Sequence, residues 1–173
     1  LLSEVSLGCS SYEHWHRVAR GFYVDGLGAI EAPSGADGGG DIRINVGASQ
    51  LHLVKETSER IQTLDGYVEL WTREPLQELG ARLHTQWEII TPFLHGHECE
   101  EIKLLSDNSG LRLLCRCPFG TLIIVRLAPP NYFPYAHGEV PGGFGKIVAL
   151  TRLVHKVAPQ QVQQLWTFWT QTL

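Results

Sequence analysis

The chain has 173 residues, 43% of them apolar and 18% charged, with a formal net charge of -4. That composition can bury a core and excludes a disordered chain. The charge is dispersed without a basic block, which excludes a nucleic-acid binder that grips phosphates, and no apolar run approaches the roughly 20 residues of a membrane span.

In chain order, the opening LLSEVSLGCSS lacks the basic region of a secretory leader. Its alternation of apolar with small or polar residues reads as a strand. The chain contains no methionine, so a processed or trimmed chain is expected. YEHWHRVARGFYVDGLGA carries Trp15, Val18, Ala19, Phe22 and Tyr23 at helical spacing, and Gly26 and Gly28 stop the helix. His14 and His16, two apart on that helix, point to different sides and do not chelate together. One is expected to be solvated and the other partly buried. EAPSGADGGGD is turn material; it lacks the spacing of a phosphate loop. IRINVGA and SQLHLVKE follow as strands, with a weakly marked strand over Leu27 to Glu31 before them. The first part therefore reads β-α-β-β-β.

The pattern then recurs. DGYVELWTR is a strand, and EPLQELGARLHTQ a short helix with Leu76, Leu79 and Leu83 on one face and Pro75 in its first turn. FLHGHECEE gathers His95, His97, Glu98, Glu100 and Glu101 around Cys99, and reads as solvated loop polarity. CEEIKLLSD, GLRLLCRC and GTLIIVRLA are three strands joined by the turns DNSG and CPFG. The repeat of about sixty residues marks a duplicated supersecondary unit. A Pro-rich aromatic linker follows, then KIVALTRLVHKV as a strand and APQQVQQLWTFWTQTL as an amphipathic helix. The expected divisions are 1–62, 63–128, a linker 129–145, and 146–173 as the strand-helix start of a third unit.

The cysteines are Cys9, Cys99, Cys115 and Cys117. None forms a C-x-x-C pair, and Cys115 and Cys117 share one face of a strand. They are expected to be buried free thiols in a reducing compartment. Large aromatics in irregular or truncated segments, namely Tyr132, Phe133, Trp166, Phe168 and Trp169, need something to pack against. Packing within this chain and an interface with a partner or a second copy are both open for them.

Two β-α-β-β-β units in tandem resemble the vicinal oxygen chelate superfamily of glyoxalase I, bleomycin-resistance proteins and extradiol dioxygenases. VSLGCSSYEHWHRVARGFYVDGLG resembles its first strand and helix, with Phe22, Tyr23, Leu27 and Gly28 in place of its closing signature. INVGASQLHLVKE is similar to the closing strand of the first unit in plant and cyanobacterial glyoxalase-like proteins. CPFGTLIIV is similar to the last turn and strand of the second unit. The resemblance implies an α+β fold in which tandem βαβββ units form a half-open, curved mixed sheet with flanking helices, here with a partial third unit.

The resemblance also implies where a divalent metal would be held, on the first and last strands of each unit. Those positions offer Glu4, His52, Tyr67 and Ile124. An aliphatic side chain has no lone pair, and tyrosine stays protonated at neutral pH. Glu4 and His52 remain as candidate ligands, fewer than the three protein donors usual for catalysis. By strand alternation His52 points opposite to Leu51 and Leu53, into the cleft that the family builds.

The expectation is therefore a glyoxalase-like domain without a complete metal centre or resident cofactor, serving as a binding or structural subunit of a larger assembly rather than a functional metalloenzyme. One alternative is a lyase, isomerase or dioxygenase using Zn, Ni, Fe or Mn. Another is a protein that sequesters a small molecule, with Tyr67, Ile124 and Trp71 lining the cleft. Protein partners or a homodimer are expected, and a soluble compartment, with the plant and cyanobacterial likeness pointing to the plastid stroma.

Overall fold

The computed structural model describes residues 4–10, 14–33, 41–56, 66–94, 102–108, 110–132, 143, 145–156 and 161–162. Of residues 4–6, 8–10, 55, 56 and 155 it describes the backbone only. Among the described residues the architecture is α+β, with two mixed sheets and two α-helices followed by π or 3-10 turns. The first unit comprises β1 (Glu4–Ser10), α1 (Trp15–Arg20), β2 (Ile30–Glu31), β3 (Ile42–Val46) and β4 (Ser49–Glu56). The second comprises β5 (Gly66–Thr72), α2 (Leu76–Ile90), β6 (Lys103–Asp107), β7 (Gly110–Arg116) and β8 (Leu122–Leu127). β9 (Ile147–His155) comes last.

The two sheets have the same topology. In the first the order is β1-β4-β3-β2, with β1 parallel to β4 and the remaining pairs antiparallel. The second repeats it as β5-β8-β7-β6, with β5 parallel to β8. β9 then adds itself antiparallel to the outer side of β5. The strand expected to head a third unit thus runs as the fifth strand of the second sheet, where it covers an edge that β5 would otherwise leave unpaired.

Alternation explains why these strands form a core. Leu7, Ile42, Ile44, Leu51 and Leu53 of the first sheet are buried, as are Val68, Leu70, Leu113, Cys115, Ile123 and Val125 of the second, all in one hydrophobic cluster. Each such side chain contributes about 2 kcal/mol through its removal from water. The helices complete the cluster. α2 places Leu76, Leu79, Leu83, Trp87 and Ile90 inward. It runs on past the expected Gln86, because Trp87 and Ile90 continue the apolar stripe, and it yields at Pro92 to a 3-10 turn over Thr91–Phe93.

α1 is continued by a wider-wound π turn over Gly21–Gly26. The Leu27 amide donates to the Phe22 carbonyl five residues back, at 2.8 Å. The two helical segments meet closely: a Cβ at Gly21 would lie 2.5 Å from Ile90 Cγ2, and the rings of Phe22 and Trp87 meet edge to face at 6.0 Å. Glycine is the residue that permits that approach.

The segment leading into β9 closes the seam between the units. Lys146 N donates to Gly28 O at 2.6 Å, and Thr72 Oγ1 donates to Lys146 O at 3.0 Å. Gly47, with φ of +73°, brings the β3–β4 turn onto the Val148 carbonyl. β2 is only two residues long, at Ile30–Glu31 within the expected Leu27 to Glu31. Among the described residues no helix is long and apolar enough to cross a membrane. Val162 is helical and exposed. Trp166, Phe168, Trp169, Phe133, Cys99 and the His95 to Glu101 cluster lie outside the described residues, as does most of the glycine-rich turn.

Candidate ligand-binding face

Each sheet buries one face against the helices, so the alternate residues form the opposite face. On the first sheet that face carries Arg43, Asn45, Gln50 and His52. His52 is half-buried and its Nε2 lies 3.2 Å from Asp41 Oδ2. Asn45 is wholly buried; its Nδ2 donates to Gly143 O at 3.3 Å, and its Oδ1 accepts from Gln50 Nε2 at 2.9 Å. Register places Ser6 opposite His52 and Glu4 opposite Gln50. In backbone register Glu4 is thus offset by two residues from His52. Asp41, which the sequence does not single out, is the carboxylate seen at the imidazole.

On the second sheet the same face carries Tyr67, Glu69 and Trp71 from β5. Across β8 these pair in register with Leu122, Ile124 and Arg126. One strand further, Arg126 lies directly opposite Arg112. Glu69 is only 9% exposed and is held on several sides. Thr151 Oγ1 donates to its Oε1 at 3.2 Å, and Arg126 Nε sits 3.5 Å from Oε2. Arg152, opposite Glu69 on β9, is held further toward its charged form, first by a hydrogen bond with Tyr67 and then by the Glu69 charge.

Trp71 meets the ring of Tyr132 edge-on at 5.1 Å, and Arg73 Nη2 pins the Tyr132 carbonyl at 2.8 Å. Tyr132 therefore packs on this chain's own Trp71. The register puts Tyr67, Ile124 and Trp71 on one face of the second sheet. It adds Glu69, Arg112, Arg126 and Arg152, which the sequence reading passes over. The signal for Glu69 is present in YVELW, where alternation puts it between Tyr67 and Trp71. The arginines carry no such signal, because their meeting depends on the pairing of β7, β8, β5 and β9.

No family model matches this chain, and no curated protein does. Solved structures do. A protein assigned to the glyoxalase family from Bacillus anthracis is 17% identical, over 72% of this chain and 92% of its own, with a TM-score of 0.52. A glyoxalase-related enzyme from Fulvimarina pelagi is 14% identical, over 75% of this chain and 88% of its own, also at 0.52. This chain shares the fold of those two glyoxalase-like structures. At such identities the likeness carries the fold, and the chemistry has to be read from the residues present.

Metal-dependent vicinal oxygen chelate proteins imply a divalent ion, so the donors on these faces need testing for fit. Among the described residues no three His, Cys, Asp or Glu side chains come together as a cage. The Glu69 carboxylate is engaged by Arg126 and Thr151, and the position beside it is the aliphatic Ile124. A guanidinium in contact with the Glu69 carboxylate repels a cation.

A concavity lies at the seam between the units. It is a shallow pocket of about 460 Å³ lined by Val24, Asp25, Gly28, Ala29, Arg82, Gly145 and Lys146. Arg82 is already committed there. It forks onto the buried Glu74 carboxylate and donates from Nε to Gly26 O at 2.8 Å. That arrangement ties α2 to the end of the first helical segment.

The cysteine pair belongs to the core. Cys115 and Cys117 are buried free thiols. Burial pushes both well above the usual thiol range, and for Cys117 a hydrogen bond with Tyr23 partly opposes the shift. His14 is exposed against the ring of Phe93, and His16 is half-buried and stacked on Trp15 at 4.0 Å.

Proposed function

We propose that this chain is a ligand-binding protein on the vicinal oxygen chelate fold, working without the complete divalent-metal centre of the metal-dependent members. The ligand lies on the second sheet, on the face formed by Tyr67, Glu69, Trp71 and Ile124. The observation that carries this reading is the state of Glu69. It is a buried carboxylate turned away from the core, held by Arg126 and Thr151 beside a half-buried tryptophan. Burying a charge is costly and needs such partners. A face that serves only to meet water does not require that investment of polar contacts.

The test has two arms. Elemental analysis of the purified protein should find substoichiometric Zn, Ni, Fe and Mn. A stoichiometric ion lost on mutation of His52 would overturn the metal-free reading. In the second arm, a chemically mixed fragment set is screened by thermal shift. Binders are expected to raise the melting temperature, and Trp71→Ala should abolish the gain. A ligand bound at 100 times its dissociation constant stabilises by about 2.7 kcal/mol. Binders whose effect is unchanged in Trp71→Ala would place the site elsewhere.

A further inference from the structure

The charge on this face identifies the class of ligand, and this inference rests on the binding reading above. Arg112 and Arg126 stand directly opposite each other on neighbouring antiparallel strands. Like charges at that position are unfavourable, because opposed Cβ atoms lie only about 5 Å apart. A carboxylate stands beside each of the two. Asp107 reaches Arg112 at 3.1 Å, and Glu69 reaches Arg126 at 3.5 Å while also meeting the charge of Arg152.

Both opposed arginines are largely withdrawn from water, with side chains 30% and 21% exposed. Among the described residues Arg112 Nε moreover finds no hydrogen-bond partner although it is buried. A buried donor left unpaired is costly, and a ligand acceptor would satisfy it.

The row continues into an aromatic surface. Trp71 is the register neighbour of Arg126 on β5, and the ring of Tyr132 abuts it. A guanidinium fork matches the two oxygens of a carboxylate, and the indole offers a flat apolar wall beside it. We infer that the ligand is an organic carboxylate carried on a flat aromatic body, with its charge at Arg112 and Arg126 and its ring against Trp71.

The experiment is saturation-transfer NMR on the full chain with a set of aromatic carboxylates, each paired with its carboxamide, and with acetate as the ring-free acid. The aromatic acids should bind at least tenfold more tightly than their amides and than acetate. Raising the salt from 50 to 500 mM should weaken them several-fold. Arg112→Gln should cost at least tenfold. Arg112→Lys, which keeps the charge and loses the fork, should fall between the two, and circular dichroism checks that both variants fold. Amides that bind as well as their acids, acetate that binds as well as the aromatic acids, or affinity unchanged in Arg112→Gln would each overturn the assignment. Neutral or cationic fragments competing at Trp71 while every acid fails would overturn the anion and leave the binding reading standing. Silence from every fragment would sink both.

Discussion

The two units solve one folding problem with different material. Their sheets share an order, a parallel first-to-last strand pair and an inward apolar row: Leu51 and Leu53 in one, Val68 and Leu70 in the other. Their helices differ. The first is a six-residue helix extended by a π turn, the second an uninterrupted fifteen-residue helix. Their outward faces differ more. One has an amide pair and a His-Asp contact, the other arginines around a buried carboxylate. The inward row specifies the fold and tolerates little. The outward row is where two copies of one unit can diverge in chemistry, as sites do on a shared scaffold.

The largest expected effect tests whether the units share one core. Leu51→Ala and Leu70→Ala should each cost about 2–5 kcal/mol. Urea unfolding followed by circular dichroism and tryptophan fluorescence should keep one coincident transition in each variant. Two separated transitions would show that each unit melts alone. Gly47→Ala probes the seam itself. Its positive φ and the Val148 carbonyl leave no room for a methyl group. A loss of about 1–3 kcal/mol in the urea midpoint is expected.

Next in size is an alkaline effect confined to the second unit. Cys115 and Cys117 have folded-state values raised above the ordinary 9.0. The fold therefore favours the protonated thiols. Their contribution is intact below 9.0 and is lost as pH rises toward the folded values. Between pH 9 and 10.5 stability should fall by up to about 1.4 kcal/mol per pH unit per thiol. Cys115→Ala should flatten that slope, and both thiols should resist a disulfide reagent until the chain is unfolded. An unchanged slope in the variant would remove the thiols as its cause.

The smallest effect belongs to the first unit's surface. Arg20 donates to both Glu31 oxygens, at 2.6 and 2.8 Å. That hydrogen bonding holds the Glu31 carboxyl below its ordinary 4.5. The contribution is present above 4.5 and is lost as pH falls through the lowered value. The pair is partly solvated, so Glu31→Gln should cost no more than about 0.5 kcal/mol at pH 7. At pH 2 the variant and the parent should unfold at the same urea concentration.

How far these features are legible in the sequence follows from what each depends on. Alternation is local, so SEVSLGCSS, IRINVGA, SQLHLVKE and GTLIIVRLA announce their strands and inward rows. The duplicated order of elements then points to the paired sheets. The end of α2 is less legible, because EPLQELGARLHTQ already satisfies a short helix and only Trp87 and Ile90 extend its stripe. The placement of β9 beside β5 is not local at all. On the candidate face, Tyr67, Ile124 and Trp71 are readable from position. The opposition of Arg112 and Arg126 requires the β7–β8 register, which is set by the CPFG turn and the buried partners around it.

The stitching of β9 to the first unit bears on how the protein is made. Asn45 meets Gly143 across 98 residues of sequence, and Gly28 meets Lys146 across a still longer span. A ribosome delivers those acceptors and donors long after the first sheet has emerged. The N-terminal half must therefore wait on the nascent chain with its seam unsealed until β9 follows, and the sealing is governed by the slow search for distant contacts.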